Sequence, residues 1–323
     1  MPEMLVRAKA ETDPAHGRPP TQRPIEQHLA YGVINLDKPD GPTSHQVVAW
    51  LKEALGLDKA GHGGTLDPSV TGVLPVALLK ATRVVRTLLE APKEYVCVLE
   101  LHRDVPPERT RAVLLEFQGP IWQVPPLKSA VKRELRQRTI YSTEVMEVTP
   151  RHALFRSSCE AGTYMRKLCT DVGLVLGPGG SMRSLRRTRT GPFSEETCVT
   201  LQDVRDAFEH WRETKDEAWL REVVRPVEEL VAHLPRVVVR DSAVDALCHG
   251  ADLAVPGVVE VEKRMRPDDL VAVFTLKGEL VAVGTAKMDA EAAASKDSGI
   301  VAKTERVVMD LGTYPRKWGS GGA

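Results

Sequence analysis

Three glycines, one histidine and one aspartate share eight residues, Gly61-His62-Gly63-Gly64-Thr65-Leu66-Asp67-Pro68. Glycine lets a backbone approach another molecule closely. Pro68 fixes its own φ and lacks an N–H, and it pushes Asp67 out of the α region. The single carboxylate is therefore held on stiff, non-helical backbone. An aspartate in such a loop is most often a turn residue. The alternative is a presented carboxylate, which can act as a covalent nucleophile. The Gly-Lys-Ser/Thr ending of a P-loop is absent, and so is a strand–GxGxxG–helix unit, so nucleotide phosphate is not the expected ligand. His62 has no second histidine or acid at ligand spacing, which argues against a metal. It is left with stacking or hydrogen bonding.

A free aspartate has a pKa of about 3.9 and is ionised at neutral pH. Burial in a pocket could raise that by up to about 3–5 units, and a neighbouring arginine would offset it by about 1–3 units and orient the carboxylate. Arg166, beside Tyr164 after a Gly-Thr pair, is the candidate partner; its other reading is a solvent-exposed helix arginine. Tyr95 lies in an alternating run and reads either as a half-buried strand aromatic or as a stacking surface for an unstacked base with a hydroxyl that can move a proton.

Lys+Arg and Asp+Glu both number 44, so only local clustering can argue for a nucleic-acid partner. Two clusters stand out. Lys128, Lys132, Arg133, Arg136 and Arg138 face one acid, Glu134, and Arg183, Arg186, Arg187 and Arg189 fall within seven residues. Such runs are solvated surface or phosphate contacts, and their excess in a neutral chain favours phosphate. A basic aromatic end, Tyr314 with Arg316, Lys317 and Trp318, points the same way more weakly.

The elements that must position these groups read as α+β. A strand, Tyr31 to Leu36, enters the turn Asp37-Lys38-Pro39-Asp40-Gly41-Pro42, and Thr43 or Ser44 caps a helix that Gly56 ends. The pattern then predicts a helix around Leu78 to Leu89, a strand from Lys93 to Arg103, a helix around Glu108 to Phe117 and strands near Tyr141 to Val148 and Ala153 to Cys159. A helix follows Gly162-Thr163, and Thr200 with Asp203 forms a capping box for another. Residues 213–229 read as helical. From about Leu234 short valine-rich runs at even spacing predict a small β-barrel-like domain. Residues 1–24 read as irregular. Five scattered cysteines without a C-x-x-C pair suit a reducing compartment. No run is long enough to span a membrane, and the start is not a signal peptide.

These motifs resemble the TruB/dyskerin pseudouridine synthases, most closely the archaeal dyskerin-type branch, over about Arg23 to Trp318. Arg23-Pro24-Ile25-Glu26 and residues 37–45 are similar to the family's first motif, and Gly61 to Pro68 to its catalytic motif. Lys93-Glu94-Tyr95, Gly162-Thr163-Tyr164-Met165-Arg166 and Leu185 to Phe193 match three more. Residues 123–133 and Gly312 to Trp318 look like the dyskerin branch rather than the bacterial one.

The resemblance implies a mixed, mainly antiparallel sheet with flanking helices at 31–232 and a PUA domain at 233–318. An extension, 1–30, would pack on the PUA domain, and 319–323 would be a tail. It implies Asp67 as nucleophile, Tyr95 as stacking residue and proton acceptor, and Arg166 as the aspartate's partner. His62 and Tyr164 would meet the substrate, and Leu168 and Leu185 would wall the pocket. Lys128, Lys132, Arg133, Arg183, Arg186, Arg187, Arg189, Arg316 and Lys317 would meet RNA.

No metal or cofactor is expected. The implied partners are a box H/ACA guide RNA, target rRNA, tRNA, two small accessory subunits and a kink-turn-binding ribosomal protein, in a cytoplasmic, archaeal setting. A stand-alone tRNA T-loop enzyme and a non-catalytic PUA scaffold are the rival readings. The intact Asp67, Tyr95 and Arg166 argue against the scaffold.

Overall fold

A computed structural model describes residues 2–125 and 132–316. The chain divides into two compact units. One holds residues 34–76 and 86–215, and the other holds residues 77–85 together with both end segments of the described chain.

The first unit is built on a mixed, mainly antiparallel sheet. Its strands run in the order Gly32–Lys38, Val70–Leu78, Gly180–Thr190, Lys93–Leu101, His152–Cys159, Arg136–Val148 and Gly119–Gln123. Val70–Leu78 and Gly180–Thr190 pair in parallel, whereas the four pairings from Gly180–Thr190 outward to Gly119–Gln123 are antiparallel. The strand Lys93–Leu101 shows why this sheet has one packed face. Cys97, Leu99 and Leu101 are fully buried, while Val98 and Glu100 between them are half-exposed, the period of two that a strand imposes.

The helix Met165–Leu176 covers the packed face with Met165, Leu168, Cys169 and Val172, spaced at three and four residues. These join Leu66, Val70 and Leu185 in one apolar cluster. Helix and strand touch at Gly173, where a Cβ would lie 2.1 Å from the backbone nitrogen of Gly180. Only glycine permits that approach. The helix Ser44–Leu55 starts from a Thr43–Gln46 capping box and stops at Gly56 in the left-handed conformation, as its sequence suggested.

The sequence reading of 78–89 as a helix does not hold. Val70–Leu78 is a strand, followed by two 3₁₀ turns at Leu79–Arg83 and Val85–Leu89. Val73, Leu74, Val76, Ala77 and Leu78 are all fully buried, so this strand has no alternation to betray it. The arginine-rich stretch is likewise a strand, Gly180–Thr190, and Gly119–Gln123 is a strand within the proline-rich segment. Residues 213–229 are not one helix. Ala218–Val223 is helical, and a 3₁₀ turn over Val227–Val231 follows Pro226.

The second unit centres on a seven-stranded sheet in the order Met4–Val6, Val258–Glu262, Arg236–Val239, Leu270–Thr275, Leu280–Ala286, Ile300–Val307 and Leu253–Ala254. Val237, Val239, Val261, Val271, Val281 and Val301 form its core with residues of the helices Asp241–Cys248 and Ala290–Ser295. The N-terminal segment is less irregular than its composition suggested. Met4–Val6 adds an antiparallel strand beside Val258–Glu262, and the Asp241 carboxylate accepts hydrogen bonds from the Thr12 hydroxyl and, at 2.8 Å, from the Asp13 N–H. Among the described residues no helix is long and apolar enough to cross a membrane.

Candidate active site

Asp67 lies between the strands Ala60–His62 and Val70–Leu78, and the backbone on both sides of it is clamped. On the near side, the buried Ser44 hydroxyl accepts from the Leu66 N–H at 2.9 Å and donates to the Leu66 carbonyl at 3.0 Å. On the far side, the ammonium of the fully buried Lys38 donates to the carbonyls of Pro39, Pro68 and Val70 at 2.8, 2.8 and 2.9 Å. Burial lowers the pKa of Lys38, and the charges of Asp40 and Asp67 oppose that shift. Gly41 N–H donates to the Pro68 carbonyl at 3.0 Å. The stiffness read from Pro68 alone is thus reinforced by two side chains from the preceding strand and helix. Nothing in their spacing from Asp67 signals that role, and the sequence reading passed over it.

Arg166 Nη2 donates to Asp67 Oδ2 at 2.7 Å. The pair expected from the carboxylate's needs is therefore formed, although in an open setting. The two side chains are 57% and 58% exposed, so the pair stands open to solvent. Arg166 is presented from the second residue of its helix. Gln123, which is buried, sets the start of that helix: its amide oxygen accepts from the Tyr164 N–H at 2.9 Å and its amide nitrogen donates to the Tyr164 carbonyl at 3.2 Å.

Tyr95 is half-buried and packs against the cluster that holds Leu66, Leu168 and Leu185. Leu185 stands in register with Val70 on one side and Cys97 on the other, between the loop's outgoing strand and the tyrosine strand. His62 is half-buried, its ring 5.1 Å from that of His45, and its Nδ1 faces the Gly64 N–H at 3.4 Å. Burial, helped by the neighbouring His45 and Arg187, lowers the His62 pKa. That shift favours the neutral imidazole, which can stack or donate one hydrogen bond. Among the described residues no group of three or more His, Cys, Asp or Glu could hold a metal ion.

The arginine cluster separates into distinct environments. Arg183 and Arg189 are exposed and free to meet phosphate. Arg186 is tied to Asp37 through two hydrogen bonds, 2.9 and 3.0 Å, and to Glu195 at 2.9 Å. Arg187 is 1% exposed, so no phosphate can reach its guanidinium without unfolding the strand. The expectation that Arg187 contacts RNA fails for that reason, and Arg186 has its charge already matched. Arg187 Nε donates to the Val73 carbonyl at 2.8 Å and Nη2 to the Gly64 carbonyl at 3.1 Å. Its charge also acts on Tyr95, which stands directly opposite it in the strand register. Gly72 makes room for this strand. Its φ is +99°, and a Cβ there would sit 2.2 Å from the Arg187 carbonyl oxygen.

Of the remaining cations, Arg133 and Arg316 are exposed, and Lys132 is exposed beside Glu134. Lys128 and Lys317 lie outside the described residues.

Four family models match in succession. The DKCLD domain matches residues 1–48 and the TruB family pseudouridylate synthase N-terminal domain residues 52–165. The tRNA pseudouridylate synthase B C-terminal domain matches 166–232 and the PUA domain 235–308. A protein of Methanopyrus kandleri named probable tRNA pseudouridine synthase B is 59% identical over 317 residues, which is 98% of this chain and 94% of that protein. A protein of the same name from Methanothermobacter thermautotrophicus is 56% identical, with 98% of each covered. Among solved structures, a chain of a Cbf5-Nop10-Gar1 complex superposes with a TM-score of 0.94 at 54% identity, covering 98% of this chain and 96% of that one. A chain of an H/ACA RNP bound to a substrate RNA containing 2'-deoxyuridine does so with a TM-score of 0.92 at 51% identity, covering 98% of each.

Proposed function

The chain belongs to the TruB family of pseudouridylate synthases, and from that premise we infer how its site carries out the isomerisation and on which RNA. The enzyme converts uridine in RNA to pseudouridine. The N1–C1′ bond breaks, the base turns, and C5 joins C1′ as it loses its proton. Substrate and product are isomers, so no co-reactant is consumed. A stacked or paired uridine must first be flipped out, at a cost of a few kcal/mol.

In our reading Asp67 is the nucleophile, attacking either C6 of the base or C1′ of the sugar. Arg166 orients its carboxylate. Tyr95 stacks on the base and takes the C5 proton, and His62 and Tyr164 face the flipped nucleotide. Leu168 and Leu185 back the apolar wall on which Tyr95 rests. Lys132, Arg133, Arg183, Arg189 and Arg316 supply exposed positive charge for the phosphates. The observation that carries this reading is the 2.7 Å contact of Arg166 with Asp67, on a loop whose neighbouring backbone is fastened by Ser44 and Lys38.

We place the substrate with the dyskerin-type branch. The enzyme acts on rRNA paired to a box H/ACA guide, with base pairing supplying sequence and the protein reading shape and backbone. It also acts on the T-loop uridine of tRNA. The PUA domain, 233–318, holds the guide's ACA end, and two small accessory subunits and a kink-turn-binding ribosomal protein complete the particle, in the cytoplasm. Support comes from the high identity to chains solved in a Cbf5-Nop10-Gar1 complex and in a substrate-bound H/ACA RNP. The relatives named tRNA pseudouridine synthase B support the tRNA activity.

Incubating the purified protein with a tRNA transcript and, separately, with guide plus target RNA tests this, read by nucleoside analysis of the product. Guide-dependent pseudouridine that rises on addition of the accessory proteins is expected. Turnover of tRNA alone, unaffected by those proteins, would instead make it a stand-alone enzyme.

A further inference from the structure

Arg187 is a buried cation without an acid. Among the described residues no carboxylate forms an ion pair with it, and its guanidinium donates to the Val73 and Gly64 carbonyls. A buried charge left without a counter-charge is costly. Carbonyl dipoles offset part of that cost, yet they would serve a neutral donor as well.

The fold also aims this group deliberately. Tyr95 and Arg187 stand directly opposite each other on neighbouring antiparallel strands, and the register slips between Glu94 and Tyr95 because Glu94 faces Arg189. Thr188 is the extra residue. Bulges of this kind re-aim side chains next to active sites. Here the bulge turns Arg187 inward, beside Tyr95 and beneath the loop carrying Asp67.

We propose that Arg187 is a positioning residue for Tyr95: its guanidinium, set directly across the strand pair and fastened to the Gly64 carbonyl of the catalytic loop, is the standing counter-charge for the phenolate that takes the C5 proton. This builds on the reading of Tyr95 as proton acceptor. A neutral phenol cannot keep a second proton, so the acceptor form must be the phenolate. In the step, the C5 proton passes to the Tyr95 oxygen and the C5–H electron pair becomes the C5–C6 double bond. The ring's negative charge leaves through N1, which takes a proton from solvent, or with the departing carboxylate where Asp67 is bonded to C6. Tyr95 then returns its proton to water.

The groups that set the ionisation of Tyr95 are Arg187, Cys159 on the adjoining strand and Asp67 on the loop. Burial favours the neutral phenol, and Arg187 opposes it. Lys93 and His62 also feel the Arg187 charge, and in both it favours the uncharged form.

The experiment uses the full chain and an RNA deuterated at C5 of the target uridine, with guide RNA and accessory proteins wherever turnover needs them. Arg187→Gln is expected to slow single turnover at neutral pH at least about tenfold, one pKa unit's worth. Part of the rate should return as pH is raised. The deuterium effect on the rate should grow as proton removal becomes the slowest step. Arg187→Lys keeps the charge and should lose less, with a smaller isotope effect. RNA affinity should hold in both.

Equal losses in the two variants with an unchanged deuterium effect would make Arg187 a structural cross-link and overturn the proposal. If Arg187→Gln does not fold, Arg187→Lys decides alone, because a slowed enzyme with an unaltered isotope effect overturns the proposal too. Full-rate turnover by Tyr95→Phe would instead strike down the reading of Tyr95 as acceptor, and so is distinguishable from failure of the Arg187 role.

Discussion

Replacing Ser44 by alanine removes one oxygen and, with it, both partners of the Leu66 peptide groups. Ser44 is fully buried and Leu66 is 4% exposed, so neither group has ready access to water. Each buried backbone group left unpaired costs about 1–3 kcal/mol. Asp67, the next residue, is more than half exposed, so the loop can relax toward solvent, which puts the total near the lower end, about 2 kcal/mol.

That relaxation moves the carboxylate, and a displacement of about 1 Å of a reacting group can cost about 10²-fold in rate. Ser44→Ala should therefore lower the urea midpoint followed by circular dichroism. It should also slow single-turnover pseudouridine formation by far more than its loss of folded population explains. Ser44→Cys, whose thiol donates and accepts more weakly, should fall between. A variant that loses stability yet turns over at the unaltered rate would refute the claim that Ser44 positions Asp67.

Arg166→Lys should change stability, measured by urea unfolding, by less than about 1 kcal/mol, because exposed ion pairs contribute little. It should nevertheless lose most activity, since lysine cannot reproduce the planar fork that holds a carboxylate; equal activity of the two enzymes in a single-turnover assay would remove Arg166 from the mechanism. His62 has its pKa lowered in the fold, so below its ordinary value of about 6.5 the unfolded chain binds a proton that the folded chain does not. Stability contributed by neutral His62 is present above that pH and is lost as pH falls. His28 carries a shift of the same sign from burial. His62→Gln should make the fall in urea midpoint from pH 7 to pH 5 shallower, and an unchanged slope would contradict the shift.

Much of the candidate site was legible from residue types. The glycines and Pro68 marked Asp67 as a presented carboxylate, with a turn residue the commoner reading, and an arginine partner followed from what a carboxylate needs. The resemblance, rather than any spacing, raised Asp67 to the nucleophile over a turn residue and gave the candidates Arg166 and Tyr95 their roles. What stayed hidden was long-range. Ser44 and Lys38 lie 22 and 30 residues from the backbone groups they hold, Leu66 and Pro68, and Gln123 lies 41 residues from Tyr164; such bonds exist only once the sheet is closed.

Arg187 was misread for a related reason. A run of four arginines looks uniformly solvated until a strand sends alternate side chains to opposite faces and a bulge resets the alternation. The strand Val70–Leu78 was missed because burial on both sides erases its periodicity. The helix expected at 78–89 drew on the apolar spacing of two 3₁₀ turns.

The central claim is that the Asp67 carboxylate performs the chemistry while the rest of the site holds RNA. Single-turnover pseudouridine formation by Asp67→Asn, paired with RNA affinity measured on the same preparation, tests it most directly. Loss of pseudouridine formation with RNA affinity largely intact is the predicted result. Full-rate turnover by Asp67→Asn would contradict it.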